Sequence, residues 1–141
     1  YTGAMLDMPL AVAHEIYKER YWDKLRLDQV CAIAGARVAD EIFDTAVNQG
    51  AGVAGKYLQR SLNALNQRGT FDSDVPVDGD VGPVTIAALR TFLRLRGVPG
   101  TTVLLRALNA LQGAFYIELA ERREKDEDFV YGWLSNRINF A

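Results

Sequence analysis

Apolar residues recur every three or four positions along most of this chain, and that spacing predicts α-helices. The first predicted helix begins at Asp7-Met8-Pro9, with the proline in the first turn, where its missing N–H is harmless. It runs to Tyr21-Trp22, and a polar connector at residues 23–29 follows. Residues 30–34 are apolar again, and Gly35 interrupts them.

The middle of the chain predicts two further helices that end at glycines. The first spans about residues 36–49, carries a broad apolar face, and is broken by Gly50 and Gly52. The second spans residues 53–68 and ends at Gly69. Both segments have the apolar spacing of helices that pack one face against a core.

The second half of the chain begins with a long Asp- and Gly-rich loop at residues 69–82. A helix from Pro83 to about Arg96 follows, then a break at residues 97–100, where two glycines flank a valine and a proline. A long helix over about residues 101–123 comes next. No pair of strands is predicted, so the expected fold is all-α, a lysozyme-like helical domain of about six helices.

The C-terminal segment after the charged run 121–128 is too apolar to remain exposed. We expect a short helix that packs back onto the domain, with Gly132 allowing close approach and Arg137 near the surface, within reach of a carboxylate. The apolar side chains expected to be buried are Phe129, Val130, Trp133 and Ile138.

The composition of the chain argues against a nucleic-acid-binding protein and against a membrane-spanning one. The 141 residues are 49% hydrophobic and 24% charged, as in ordinary soluble domains, and the formal net charge of -2 gives no basic surface for nucleic acid. No apolar run approaches the ~20 residues of a membrane span, and no signal peptide is visible at Tyr1. Cys31 is the single cysteine and is expected to be a small core residue. We expect a monomer.

Asp44 and Asn48 are the most informative polar pair, because they stand one turn apart in an otherwise apolar helix. Burying such a pair costs free energy unless hydrogen bonds satisfy it. Two interpretations remain open for Asp44: a structural hydrogen-bond hub, or a wall of a substrate cleft. A carboxylate in apolar surroundings has a raised pKa, which is the property that a general acid needs.

Other candidates for chemistry are weaker. Tyr21 and Trp22 either stack on sugar faces or belong to the core. His14 is the single histidine, so neither a zinc site nor any other metal site is predicted, and the Asp-rich loop departs from the calcium-loop template. No cofactor is expected. The carboxylates near aromatic residues are Glu15, Glu19, Asp23, Glu41 and Asp44.

Five short motifs occur in a fixed order over nearly the whole chain, at residues 13–22, 43–50, 56–63, 78–85 and 129–138. They read Ala-His-Glu-Ile-Tyr with Arg-Tyr-Trp, Phe-Asp-Thr-Ala-Val-Asn-Gln-Gly, Lys-Tyr-Leu-Gln-Arg-Ser-Leu-Asn, Asp-Gly-Asp-Val-Gly-Pro-Val-Thr, and Phe-Val-Tyr-Gly-Trp-Leu-Ser-Asn-Arg-Ile. In this order they resemble glycosyl hydrolase family 108, the lysozyme-like muramidases found as phage endolysins and bacterial secretion activator proteins. Residues 59–89 are also similar to peptidoglycan-binding repeats.

The resemblance implies an enzyme that cleaves peptidoglycan between N-acetylmuramic acid and N-acetylglucosamine. The family's catalytic glutamate lies in a Glu-Gly-Gly segment that we expect upstream of Tyr1, so the acid is not assigned here and Asp44 is a supporting candidate. Tyr21, Trp22, Asp44 and Asn48 match cleft-side motifs and are expected to bind substrate on one concave surface.

The predicted organisation has two parts packed as one compact unit. Residues 1–68 would be the remainder of the catalytic lobe, and residues 69–141 a peptidoglycan-binding-like helical part. The alternative function is a non-catalytic peptidoglycan-binding or secretion-accessory module. The partner in either case is peptidoglycan, and we expect the protein to stay in the cytoplasm until release and to act in the periplasm or on the cell wall.

Overall fold

Six α-helices and one π-helical turn make up the computed structural model, which describes residues 10–124 and 127–138. Within those two ranges no strand occurs, and the all-α prediction is confirmed. The elements are α1 (Leu10–Tyr17) with its π-helical continuation (Lys18–Asp23), α2 (Leu27–Ala34), α3 (Ala36–Gln49), α4 (Ala51–Ala64), α5 (Pro83–Arg122) and α6 (Glu127–Arg137).

Helix α3 has the bounds that the sequence predicted, because glycines mark both of its ends. Gly35 has φ 94° and Gly50 has φ 108°, values that side chains other than glycine rarely adopt. The start predicted for the first helix, at Asp7-Met8-Pro9, lies outside the described residues. The connector predicted at 23–29 is too long, because Leu27 is fully buried and already begins α2.

Helix α4 ends four residues before its predicted end at Arg68, where Asn66 hydrogen-bonds to the following turn and loop. Asn66 accepts a hydrogen bond from the Gly69 amide (3.0 Å) and donates one to Asp74 Oδ1 (2.6 Å). Gln67 and Arg68 then take positive φ values of 54° and 58°. These local conformations turn the chain into the 69–82 loop.

The predicted break in the second half of the chain is shorter than expected. Only Gly97 is non-helical (φ 66°, ψ -153°), so α5 runs from Pro83 to Arg122 with one sharp kink. Pro99 falls in the first turn after the kink, where a proline needs no backbone N–H donor. The segment predicted as a four-residue break is therefore a single-residue break between two helical halves.

Three carboxamides, two on α4 and one just after its end, hold the 69–82 loop against the helix. Gln59, Asn63 and Asn66 stand at helical spacing, and each hydrogen-bonds to loop atoms. Asn63 does so twice, because its Oδ1 accepts from the Val75 amide (2.8 Å) and its Nδ2 donates to the Val75 carbonyl (2.9 Å). The loop is thus ordered by helix side chains, although it has no regular secondary structure.

The C-terminal helix packs back on α5, as predicted. Trp133 lies half-buried with its ring 5.0 Å from that of Tyr116. The expected burial is only partial, since Val130, Trp133 and Ile138 are half-buried and Phe129 is 57% exposed. The role given to Gly132 is wrong, because no described atom lies within 4 Å of a Cβ built there. At Gly113 of α5, by contrast, a Cβ would be in ordinary contact with Leu134 (3.6 Å) and Ile138 (3.8 Å) of the C-terminal segment.

Candidate functional site

A polar depression of about 310 Å³ lies between α3, α5 and α6. Helix α3 supplies four charged side chains one after another along a single face, because their spacing follows the helical repeat. Helices α5 and α6 close the other sides. The lining side chains are Arg37, Asp40, Glu41, Asp44, Leu105, Asn109, Asn136 and Arg137.

Asp44 connects α3 to α5 at this depression. Its Oδ1 accepts a hydrogen bond from Asn48 Nδ2 (3.0 Å), and its Oδ2 accepts one from Gln112 Nε2 (3.2 Å). Gln112 is fully buried, and the same Nε2 lies 3.3 Å from the Tyr116 hydroxyl. Asp44 is therefore a hydrogen-bond hub that also lines a depression, and its role in a substrate cleft stays a prediction.

Asn48 does not share the burial expected of the pair. Its side chain is exposed, and Nδ2 donates to both the backbone carbonyl (2.8 Å) and the carboxylate of Asp44. The pair is thus satisfied within one helical turn. The carboxylate rather than the carboxamide reaches the depression.

Tyr21 and Trp22 pack around Phe43, on a different side of α3. Trp22 meets the Phe43 ring edge-on at 5.7 Å, and its Nε1 donates to Asp28 Oδ1 (2.8 Å). Trp22 lines a separate depression of about 360 Å³. Asp44 lines the depression between α3, α5 and α6, and neither Tyr21 nor Trp22 is among the residues that line it. The single concave surface expected from the sequence is not found, and the substrate-binding roles stay predictions.

Glu41 is the distinctive carboxyl group of the depression, and sequence reasoning did not separate it from the other acidic residues. It is half-buried, and its Oε1 is a buried atom with no hydrogen-bond partner among the described residues. Burial, and secondly the negative charge of Asp44, raise the pKa of Glu41 to about 8. Glu41 therefore keeps its proton at neutral pH and is available to a ligand as a neutral hydrogen-bond donor.

Stability should fall with rising pH because of Glu41. The pKa of its folded-state carboxyl is about 8, against an ordinary value of 4.5, so unfolding releases a proton throughout that window. The stabilisation is complete below pH 4.5 and is lost as the pH rises through 8. Glutamine does not titrate, so the loss of stability with rising pH should be about 1–3 kcal/mol smaller in Glu41→Gln. This range allows for the solvent screening of a half-buried group.

Urea melts at pH 5 and pH 8.5 measure this effect. The wild type should lose more stability between the two values than Glu41→Gln. Asp40→Asn removes an exposed carboxylate from the same helix and leaves Glu41 in place, so it should keep the wild-type loss. Equal losses for wild type and Glu41→Gln would contradict the assignment.

Two protein-family models match the chain. Residues 53–138 match the family described as a predicted peptidoglycan domain, and this match takes in most of the chain. The chain belongs to that family. Residues 2–50 match the glycosyl hydrolase 108 family, so the resemblance inferred from the sequence motifs is confirmed. No curated protein shows significant similarity to the chain.

The two matches together indicate hydrolysis or binding of peptidoglycan, with peptidoglycan as the ligand. They meet between residues 50 and 53, where α3 gives way to α4. The polar depression is lined by residues of both matched segments, because Glu41 lies in one of them and Arg137 in the other. The division into residues 1–68 and 69–141 stays a prediction. None of the helices in the described ranges is long and apolar enough to cross a bilayer.

Proposed function

We propose that this chain works within a muramidase that cleaves the glycan strand of peptidoglycan between N-acetylmuramic acid and N-acetylglucosamine. The observation that carries the proposal is the polar depression, which gathers groups from both matched segments. A glycan offers hydroxyl and acetamido groups, and these need donors and acceptors side by side. Glu41 and Arg137 supply donors, and Asp44 and Asn136 supply acceptors.

The proposal divides the chemistry between two places. Glycoside hydrolysis needs a protonated carboxylic acid and usually a second carboxylate. We take the acid to be the glutamate that the resemblance implies ahead of Tyr1, and Glu41 and Asp44 then hold the sugar in position. Because Asp44 is fixed by Gln112 and Asn48, it can present its carboxylate without reorganising.

A non-catalytic wall-binding or secretion-accessory module is the alternative. It is favoured by the extent of the peptidoglycan-domain match, which takes in α4, α5 and α6. In that case the depression would bind glycan without cleaving it.

Mass spectrometry of the muropeptides released from purified sacculi tests the proposal. The full-length protein should release fragments with reducing N-acetylmuramic acid ends, and the 141-residue chain alone should bind sacculi without dissolving them. Reducing N-acetylglucosamine ends would contradict the bond specificity. If the full-length protein binds sacculi and leaves them intact, the wall-binding alternative is favoured.

The variant Glu41→Gln adds a control to this experiment. If the 141-residue chain does dissolve sacculi, the acid lies within it, and loss of that activity in Glu41→Gln would identify Glu41 as the acid. If Glu41 only binds the glycan, Glu41→Gln in the full-length protein should weaken binding and leave the released products unchanged.

A further inference from the structure

An apolar groove of about 500 Å³ lies where the end of α4 meets the kink of α5. We call it the α4–α5 groove. Its surface combines apolar side chains with two guanidinium groups at the rim. The apolar residues are Leu65, Phe92, Pro99 and Val103, and the rim residues are Arg68 and Arg96.

Backbone features specific to this corner of the fold shape the groove. Gly97 bends α5, and Arg68 is held in a left-handed conformation that residues other than glycine seldom adopt. Gly100 gives Arg96 room, since a Cβ built at Gly100 would lie 2.6 Å from the Arg96 Cβ. The backbone conformation therefore shapes the groove, and no ligand is needed to open it.

The rim of the α4–α5 groove carries uncompensated positive charge. The Arg96 guanidinium lies 5.0 Å from the centre of the Phe71 ring, a cation–π contact that holds it in place. Arg68 is exposed. Neither forms an ion pair with a carboxylate of the described residues. A ligand with a small apolar body and a carboxylate would complement this surface.

We propose that the α4–α5 groove binds the peptide stems of peptidoglycan, with alanine methyl groups on the apolar floor and a stem carboxylate at Arg68 and Arg96. This inference rests on the proposed function, because it takes peptidoglycan as the ligand. The glycan itself does not suit the groove. Its hydroxyl and acetamido groups are neutral, so they would leave both guanidinium groups without a counter-charge.

Binding to two forms of the wall tests the inference. The 141-residue chain is incubated with intact sacculi and with glycan strands from which an amidase has removed the stems, the lactyl carboxyl groups freed by that cleavage being converted to amides so that the strands stay neutral. The chain should bind intact sacculi more tightly than stripped strands. The double variant Arg68→Gln/Arg96→Gln should bind intact sacculi about tenfold more weakly, the loss that corresponds to one charged contact of ~1.4 kcal/mol.

Two further variants make the result specific to the groove. Arg90→Gln/Arg94→Gln removes the same charge from exposed positions on the same helix that do not line the groove, and it should bind like the wild type. Val103→Glu places a carboxylate in the groove at a side chain that is 42% exposed, so it should weaken binding without unfolding the chain. Circular dichroism melts verify that each variant is folded.

The outcomes separate this inference from the proposed function. If the wild type binds intact and stripped glycan equally well, or if the groove variants bind sacculi normally, the inference is overturned while the proposed function stands. If the wild type binds neither form, the proposed function itself fails. A groove variant that changes only self-association, measured by sedimentation, would assign the groove to a second copy of the chain and overturn the inference as well.

Discussion

Replacing Gln59 with leucine is expected to lower the free energy of unfolding by about 3–5 kcal/mol. The side chain is 1% exposed and lies between α4 and the 69–82 loop. Its Nε2 donates to Asp78 Oδ1 (3.0 Å), to the Asp80 carbonyl (2.9 Å) and to Thr85 Oγ1 (3.1 Å). Its Oε1 accepts from the amides of Asp78 (3.0 Å) and Gly79 (2.8 Å).

The size of this effect follows from what leucine leaves behind. It has nearly the volume of glutamine but can neither donate nor accept, so two backbone amides and one backbone carbonyl lose their partner. Each buried group without a partner costs about 1–3 kcal/mol, and water that enters the opened loop recovers part of that. Urea melts measure the difference. The control is Gln29→Leu, an exposed glutamine on α2, which should change stability by less than about 0.5 kcal/mol.

A second measurement distinguishes loss of the hydrogen bonds from a packing defect. The pKa of Asp78 lies below its usual range because the Asp80 amide and then Gln59 Nε2 donate to its carboxylate. In Gln59→Leu that pKa should rise towards its usual range, and an NMR titration follows it. If the midpoint of unfolding matches that of Gln29→Leu and the Asp78 titration does not move, Gln59 is not the anchor of the loop.

Local signals in the sequence predicted much of the fold. Gly35 and Gly50 stand at the ends of α3, and Gly97 stands at the kink of α5, where each takes a positive φ. These are effects of single residues on the backbone, so one sequence is enough to locate them. The all-α class followed from the helical spacing of apolar residues in the same way.

The features that were missed depend on contacts between distant residues. The end of α4 is set by Asn66, whose partner Asp74 lies in the loop. The environment of Glu41 is built by α5 and α6, which contribute Leu105 and Asn136 to the same depression. From the sequence alone Asp44 stood out, because it is polar among apolar neighbours. The one local cause of the raised pKa of Glu41 is the charge of Asp44 on the same helix, and the larger cause, burial, depends on the distant helices.

Gly55→Ala is expected to destabilise the fold by about 2–4 kcal/mol, the second large effect. Gly55 is buried in α4, and a Cβ built there would overlap the carbonyl oxygen of Gly79 and lie 2.8 Å from its carbonyl carbon. The obstacle is backbone, which cannot rotate away as a side chain would. The loop must therefore move off α4, and that movement also disturbs the hydrogen bonds of Gln59.

The same substitution three residues earlier provides the matched control. No described atom lies within 4 Å of a Cβ built at Gly52, which is exposed in the first turn of α4. Gly52→Ala should therefore be neutral, or stabilise the helix by up to ~1 kcal/mol through helix propensity. Gly55→Ala has the same gain in propensity, so the difference between the two urea midpoints isolates the cost of the backbone overlap.

We expect Gly55→Ala to lower the free energy of unfolding and Gly52→Ala to leave it unchanged or raise it. The difference follows from the short distance between α4 and the loop at Gly55. Gly79 has φ 80°, and a Cβ built on it would lie 2.8 Å from the Gly52 carbonyl oxygen, so the loop is pressed against α4 on both sides of Gly79. If Gly55→Ala proves as stable as Gly52→Ala, the loop can retreat at little cost. In that case the loop anchored by Gln59 can move without much loss of stability. Gln59→Leu should then cost only about 1 kcal/mol, the net contribution of a single hydrogen bond.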